Sequence, residues 1–503
     1  MEYRLADEPR RHARERGAAP ALSVGERTVT YAELDERTSR MAQALRASGA
    51  VPGSRIAVLD RSSIEVAETL LASAKIGAVT VPLNWRLAVP ELRAVMEDAR
   101  PVVLIVHEDF LPAALEAGKG LDPAPSVVVV GAEYERWIGR QPARDPLHEG
   151  HPGDVVAQLY TWGTTGRPKG VLTTDSNVGA LVQAGRYWAV DSSTKCLDAM
   201  PLFHIGGLGM LLIVLAAGGH SVLVRELVPE ELLATLEEAG ITNTFLVPTA
   251  IQTLVDLPGA DTRDYSQLRS IAYGSSPATP ALLRKAAATF GCPLFQTYGL
   301  TESTGVVVQL DAADHDPGGP REYLLRSVGK PYPWAELKIV DAEGATLPSD
   351  TPGEICIRSQ QNSPGYYNRP EETAAAIDAD GWLRTGDVGR LDPDGYLFIS
   401  DRMKDMIITG GENVYPVEVE AVLADHPEVA SVAVIGRPDT RWGEAVTAVV
   451  VRSTGSEVGQ NELIAFARER LAGYKCPKRI EFVNALPVGP TGKVLKRALR
   501  TAH

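Results

Sequence analysis

The densest chemical signal in the chain is the stretch Tyr160-Thr161-Trp162-Gly163-Thr164-Thr165-Gly166-Arg167-Pro168-Lys169-Gly170. Glycines at 163, 166 and 170 are expected to let the backbone take φ > 0 and approach a ligand closely. Successive loop N–H groups and the hydroxyls of Thr161, Thr164 and Thr165 can wrap an anion, and Lys169 adds a point charge. The preceding run Val155-Val156-Ala157-Gln158-Leu159 reads as a buried strand. A strand feeding such a loop suits a polyphosphate. The Gly-Lys-Ser/Thr of the Walker loop is absent, and the dinucleotide fingerprint does not match.

The stretch resembles the phosphate loop of the adenylate-forming superfamily: acyl-CoA synthetases, luciferases and the adenylation domains of peptide synthetases. That loop usually reads Tyr-Thr-Ser-Gly-Thr-Thr-Gly-x-Pro-Lys-Gly, so Trp162 replaces a small hydroxyl residue. The resemblance extends over nearly the whole chain and implies roles for further positions. In Tyr298-Gly299-Leu300-Thr301-Glu302, Tyr298 would stack on adenine, Thr301 face the phosphates and Glu302 help hold Mg²⁺. Gly274, Ser275 and Ser276 would line the adenine. Asp387 would accept the ribose hydroxyls, joined there by Arg402. Lys404 falls where the family has its hinge, and Lys493 where a lysine stabilises charge during adenylation. Gly410 and Gly411 would line a pantetheine tunnel with Trp442 beside it, and His204 would guard the acyl pocket.

These roles imply an acid–thiol ligase that makes acyl-CoA through an acyl-adenylate. The small molecules would be CoA, a carboxylic acid, and ATP with Mg²⁺. Trp162 points to one departure: an indole filling the pyrophosphate space would impair adenylation, yet spare an acyl-adenylate, which carries only the α-phosphate. Asp175, where the family usually has His, points the same way. The favoured expectation is therefore thioester formation from a preformed acyl-adenylate supplied by another enzyme. The alternatives are a complete ATP-dependent acid–CoA ligase and a degenerate protein that binds nucleotide or acyl-adenylate without turnover. A simple carboxylic acid is expected over an amino acid, since no carboxylate near the pocket is in evidence for an α-amino group.

The elements that must position these residues follow from periodicity. Between Thr30 and Val106 helical patterns alternate with the short apolar strands at 56–59, 79–83 and 102–106. After the phosphate loop come a helix near Asn177 to Trp188, an apolar helix to Ala217, and strands ending near Pro248 and Gly274. Ligands of open α/β sheets gather at such strand ends. Residues 112–152 read as a variable connection holding one short strand, and Val328 to Ser400 as β-rich and turn-dense. The expectation is an α/β fold with a large N-terminal domain of mostly parallel sheets and a β-rich subdomain, residues 1–401. A small mobile α+β domain follows, residues 402–503.

Length and charge set outer limits. The 503 residues exceed one folding unit, and a net charge of −14 argues against nonspecific nucleic-acid binding. Cys196, Cys292, Cys356 and Cys476 have no metal-ligand spacing and read as free thiols. No apolar run is long enough to span a bilayer, and a cytoplasmic protein is expected.

Overall fold

The computed structural model describes residues 3–162, 167–275, 278, 280–316, 318–402, 407–414, 416–487 and 496–501. Two large, mainly parallel sheets form its N-terminal part. The six-stranded sheet runs, edge to edge, Ser126–Val129, Val103–Val106, Arg55–Leu59, Val79–Pro82, Val155–Trp162 and Pro168–Thr174. Only its last pair is antiparallel. The nine-stranded sheet is parallel through its centre, from Leu294–Leu300 by way of Ser270–Gly274 and Asn243–Leu246, and antiparallel at both ends.

Apolar content explains how the two sheets join. The helix Ile64–Ala74 has every residue buried and touches strands of both sheets, so it needs no polar face. The helix Tyr31–Ala47 is amphipathic instead, and Thr30 and Glu33 close a reciprocal capping box at its start. A four-stranded antiparallel sheet, Ala335–Val340 to Leu397–Arg402, supplies the β-rich subdomain. The C-terminal part holds its own sheet, with Ile407–Thr409, Glu412–Val414, Val429–Asp439, Gly443–Arg452 and Arg479–Phe482. Its separate apolar core packs the helices Pro416–Ala424 and Gln460–Arg468 against that sheet.

Three expectations about elements need correction. The segment 112–152 is not a bare connection: helices Leu111–Gly118 and Ala132–Gly139 flank its strand, and Tyr134 is fully buried. The helix near Asn177 ends at Leu181 and tightens into a 3₁₀ turn, Val182–Arg186. A further helix, Asp7–Arg16, was missed because its apolar stripe is thin; it buries Glu8 and His12. All four cysteines are buried and unpaired. No helix among the described residues is long and apolar enough to cross a membrane.

Candidate active site

The residues expected at the phosphates flank a hairpin turn. Tyr160, Thr161 and Trp162 belong to the strand Val155–Trp162, and Pro168 to Gly170 open the strand that returns beside it, with Thr161 opposite Lys169. Gly163, Thr164, Thr165, Gly166 and the side chain of Trp162 lie outside the described residues, so the expected obstruction falls there. Gly170 is glycine for a different reason from the one expected. Its φ is not positive; a methyl there would lie 2.4 Å from the Gln158 amide nitrogen. Thr161 and Thr301 line one cleft with His204, Asn84 and Tyr474. Glu302 accepts a hydrogen bond from the Tyr366 hydroxyl at 2.9 Å, and the Lys169 ammonium sits 5.0 Å from the same ring. Tyr366, which sequence reasoning missed, thus ties the expected phosphate lysine to the expected metal carboxylate.

No group of three or more His, Cys, Asp or Glu suited to a metal occurs among the described residues. Glu302 is a single carboxylate beside Thr301, which fits a Mg²⁺ that completes its shell with phosphate oxygens and water. Asp175 is not near this end. It is buried, accepts from the Leu5 backbone N–H at 2.7 Å and lies 3.8 Å from Arg4. Burial pushes its carboxyl up to about 6. It anchors the N-terminal segment, at the end of the hairpin opposite Trp162 and Pro168.

The residues expected at the nucleoside lie where the nine-stranded sheet meets the β-rich subdomain. Ser275, Gln296, Tyr298, Arg326 and Ile408 line one pocket there. The Tyr298 hydroxyl donates to Asp387 at 2.8 Å, and Asp387 is 3 % exposed. Asp387 pairs in register with Arg402 on the next strand; the Arg402 side chain and Ser276 lie outside the described residues. Ser275 has φ +68°, a left-handed conformation rare outside glycine and common where strain serves a site. Gly274 is glycine because a methyl would lie 2.6 Å from the Thr297 carbonyl oxygen.

A seam between the two parts of the chain adjoins the cleft. Gly410 and Gly411, at φ +58° and +82°, make the turn before Glu412–Val414. A methyl on Gly411 would lie 3.2 Å from Val247 of the N-terminal part, so the turn is seated against it. Glu412 bonds His204 Nε2 at 2.8 Å and Arg86 at 2.5 Å. Burial raises the Glu412 carboxyl, but His204, Arg86 and Lys475 outweigh it and hold the group below its ordinary value. Deeper in, Lys475 bridges Glu91 (2.7 Å) and Glu418, and Glu91 also accepts from the Ala472 N–H at 2.8 Å. All three side chains are at most 5 % exposed. Burial pushes Glu418 up to about 8 against the pull of Lys475. On the outer rim, Trp442 has the Arg441 guanidinium 4.7 Å and the Lys478 ammonium 5.4 Å from its ring.

The expected acyl pocket is a separate apolar slot behind Ser275 and Thr297. Gly206 and Gly209 line it. Gly207 does not, since a methyl there would meet the Met200 and Pro201 carbonyl oxygens and its role is close helix packing. His204 stands in the cleft with Glu412 and not in the slot.

Comparison with known proteins resolves the family. The model described as "AMP-binding enzyme" matches residues 9–367, and "AMP-binding enzyme C-terminal domain" matches 418–493. The chain belongs to the AMP-binding enzyme family. It is 38 % identical over 97 % of its length, and 94 % of the relative's, to the fatty acid–[acyl-carrier-protein] ligase ScoC of Streptomyces coeruleorubidus. It is 39 % identical to feruloyl-CoA synthase of an Amycolatopsis species, over 99 % of this chain and 98 % of the other. Among solved structures, the amide bond synthetase McbA from Marinactinospora thermotolerans superposes with TM-score 0.90 at 34 % identity, covering 98 % of this chain and 99 % of McbA.

For an AMP-binding enzyme, the described geometry joins Thr161, Thr301 and His204 in one cleft and Tyr298 with Asp387 in another. Lys404 and Lys493 lie outside the described residues. The helix Lys496–Thr501 that follows Lys493 is held to the C-terminal part by Lys496 and Glu420 at 2.6 Å. Sequence reasoning missed Glu91, Lys475 and Glu418. Each is an ordinary charge on its own helix or loop, and only their burial in one cluster sets them apart.

Proposed function

We propose that this protein is a complete ATP-dependent carboxylic acid–CoA ligase. In the first step a carboxylate oxygen attacks the α-phosphorus of ATP and pyrophosphate leaves. Thr161, Lys169 and the loop 163–166 cradle the phosphates, Glu302 would hold a Mg²⁺ that neutralises phosphate charge, and Lys493 offsets the developing charge. Tyr298 and Asp387 hold the nucleoside. In the second step residues 402–503 turn about Lys404, and the thiol sulfur attacks the acyl carbonyl carbon. The bond to phosphate oxygen breaks, AMP leaves, and the thiol proton passes to solvent.

The observation that carries this reading is the seating of the Gly410–Gly411 turn on Val247, beside the cleft that holds Thr161, Thr301 and His204. Glycines there leave a thin wall for a narrow thiol arm. The exposed rim of Trp442 with Arg441 and Lys478 suits a nucleotide bearing phosphates, and so favours CoA as acceptor. The relatives are ligases and synthetases, and they favour the two-step enzyme over the adenylation-deficient one that Trp162 suggests. A carrier-protein thiol is the second reading, because ScoC is an acyl-carrier-protein ligase at 38 % identity.

The test is ATP–pyrophosphate exchange with a panel of acids, followed by thioester formation with CoA or with a phosphopantetheinyl carrier protein. Exchange together with acyl-CoA formation supports the complete ligase. Thiolysis of a synthetic acyl-adenylate without any exchange would restore the adenylation-deficient reading.

A further inference from the structure

The apolar slot narrows the acid that this ligase accepts. Four glycines line it, Gly206 and Gly209 on the helix Ile205–Ala217 and Gly299 and Gly305 on the antiparallel pair Leu294–Leu300 and Gly305–Leu310, beside aliphatic side chains such as Leu181 and Met210. These glycines are not interchangeable. Gly299 is required for packing, because a methyl there would lie 1.9 Å from the Gly305 carbonyl oxygen. Gly305 is required by its backbone, at φ +88°. A methyl at Gly209 would instead meet only Leu181, at 3.5 Å, an ordinary contact, so side-chain bulk is sterically allowed there and is nevertheless absent.

The edges are aromatic or aliphatic. Phe245 lies along one edge, 3.2 Å from a methyl built on Gly206. Trp188 lines the slot, and its indole N–H donates to Gln309 at 2.6 Å and to Tyr332 at 3.0 Å. Neither acceptor lines the slot, so the indole turns its polar edge away and offers carbon. None of the described lining residues is charged. The polar groups, Ser275 and Thr297, belong to the strand ends beside Tyr298, where an acyl carbonyl joined to AMP must sit.

An uncharged slot lined by four glycines and the rings of Trp188 and Phe245 matches a planar group. From this we infer that the acid is uncharged beyond its carboxylate and carries a planar aryl or arylalkenyl group, with Gly209 leaving room for the ring. A second carboxylate or an ammonium would be buried there without a partner, at a large cost. This inference rests on the ligase reading for its biological meaning, but its test does not need turnover.

The experiment measures calorimetric affinity of the full chain for stable acyl-sulfamoyl adenosines carrying benzoyl, cinnamoyl, hexanoyl, succinyl or alanyl groups, with AMP as reference. The aryl analogues are expected to bind about tenfold or more tighter than hexanoyl, a margin typical of shape fit in an apolar pocket, and tighter still than the charged pair. Gly209→Ala is expected to weaken the aryl analogues by about tenfold. AMP affinity should not change, and thermal stability should hold or rise, since alanine favours a helix interior over glycine. Phe245→Leu, which removes an aromatic edge without emptying it, should narrow the gap between cinnamoyl and hexanoyl. Hexanoyl or charged analogues binding as tightly as aryl ones would overturn the inference. So would aryl affinity indifferent to Gly209→Ala. Failure of the ligase reading would show separately, as absent pyrophosphate exchange with acids whose analogues bind.

Discussion

The slot and the seam adjoin the same cleft but are made in opposite ways. The slot is built by one part of the chain from glycine backbone and apolar side chains, and nothing in it depends on where the C-terminal part lies. The seam is built by both parts from buried charge: Glu91 and Arg86 on one side, Glu412, Lys475 and Glu418 on the other. Apolar walls give a shape that stands ready for its ligand. Buried ions are stable only while their partners stay in place, since a lone buried charge is costly. In the proposed ligase, the acyl site is thus fixed and the acceptor site conditional.

The contrast is testable at several strengths. The largest effect is expected from Lys475→Met, which leaves Glu91 buried without its cation. Breaking a buried pair in this way costs about 3–5 kcal/mol, read as a shift in the denaturant midpoint. A loss under about 1 kcal/mol, the range of an exposed ion pair, would mean that the seam is effectively solvated.

A smaller effect concerns pH. The Glu418 carboxyl is raised from an ordinary value near 4.5 to about 8. A carboxyl raised in the folded state contributes stability that is fully present below 4.5 and is lost as pH rises toward 8. Stability should therefore decline over that window, and Glu418→Gln should flatten the decline. An identical slope in the variant would assign the decline to other groups.

Glu412→Gln comes next. It keeps the shape but weakens the bonds to His204 and Arg86, each a contact with a charged group that contributes roughly 1.5–3 kcal/mol. Thioester formation from a synthetic adenylate should slow by about 10- to 100-fold, and pyrophosphate exchange much less. Equal loss of both steps would merge the seam with the fixed site.

The smallest is Gly411→Ala. Its φ of +82° and its approach to Val247 predict a cost of roughly 1–2 kcal/mol, felt in the thioester step. No change in that step would unseat the turn from the acceptor path.

Sequence alone determined the order of elements and the positions of the motif residues. Continuous apolar runs marked the strands at 56–59, 79–83, 244–248 and 270–274, because a strand buried on both faces is apolar along its whole length. Thr161, Thr301, Tyr298 and Asp387 were singled out for a related reason: each sits in a run whose neighbours carry the signal locally. The helix Asp7–Arg16 escaped, as its mean composition is charged and only Glu8, Pro9 and His12 are buried.

Tertiary structure decided the meaning of residues whose partners are distant. Asp175 reads as a charge beside the nucleotide until Leu5, 170 positions away, takes it as a hydrogen-bond acceptor. Gly170 reads as a flexible loop residue until the Gln158 side chain occupies the space of its missing methyl. Glu91 and Lys475 are 384 positions apart and ordinary in their own surroundings. Their importance comes from desolvation, which is a property of everything packed around a group and is written in no single stretch of the chain.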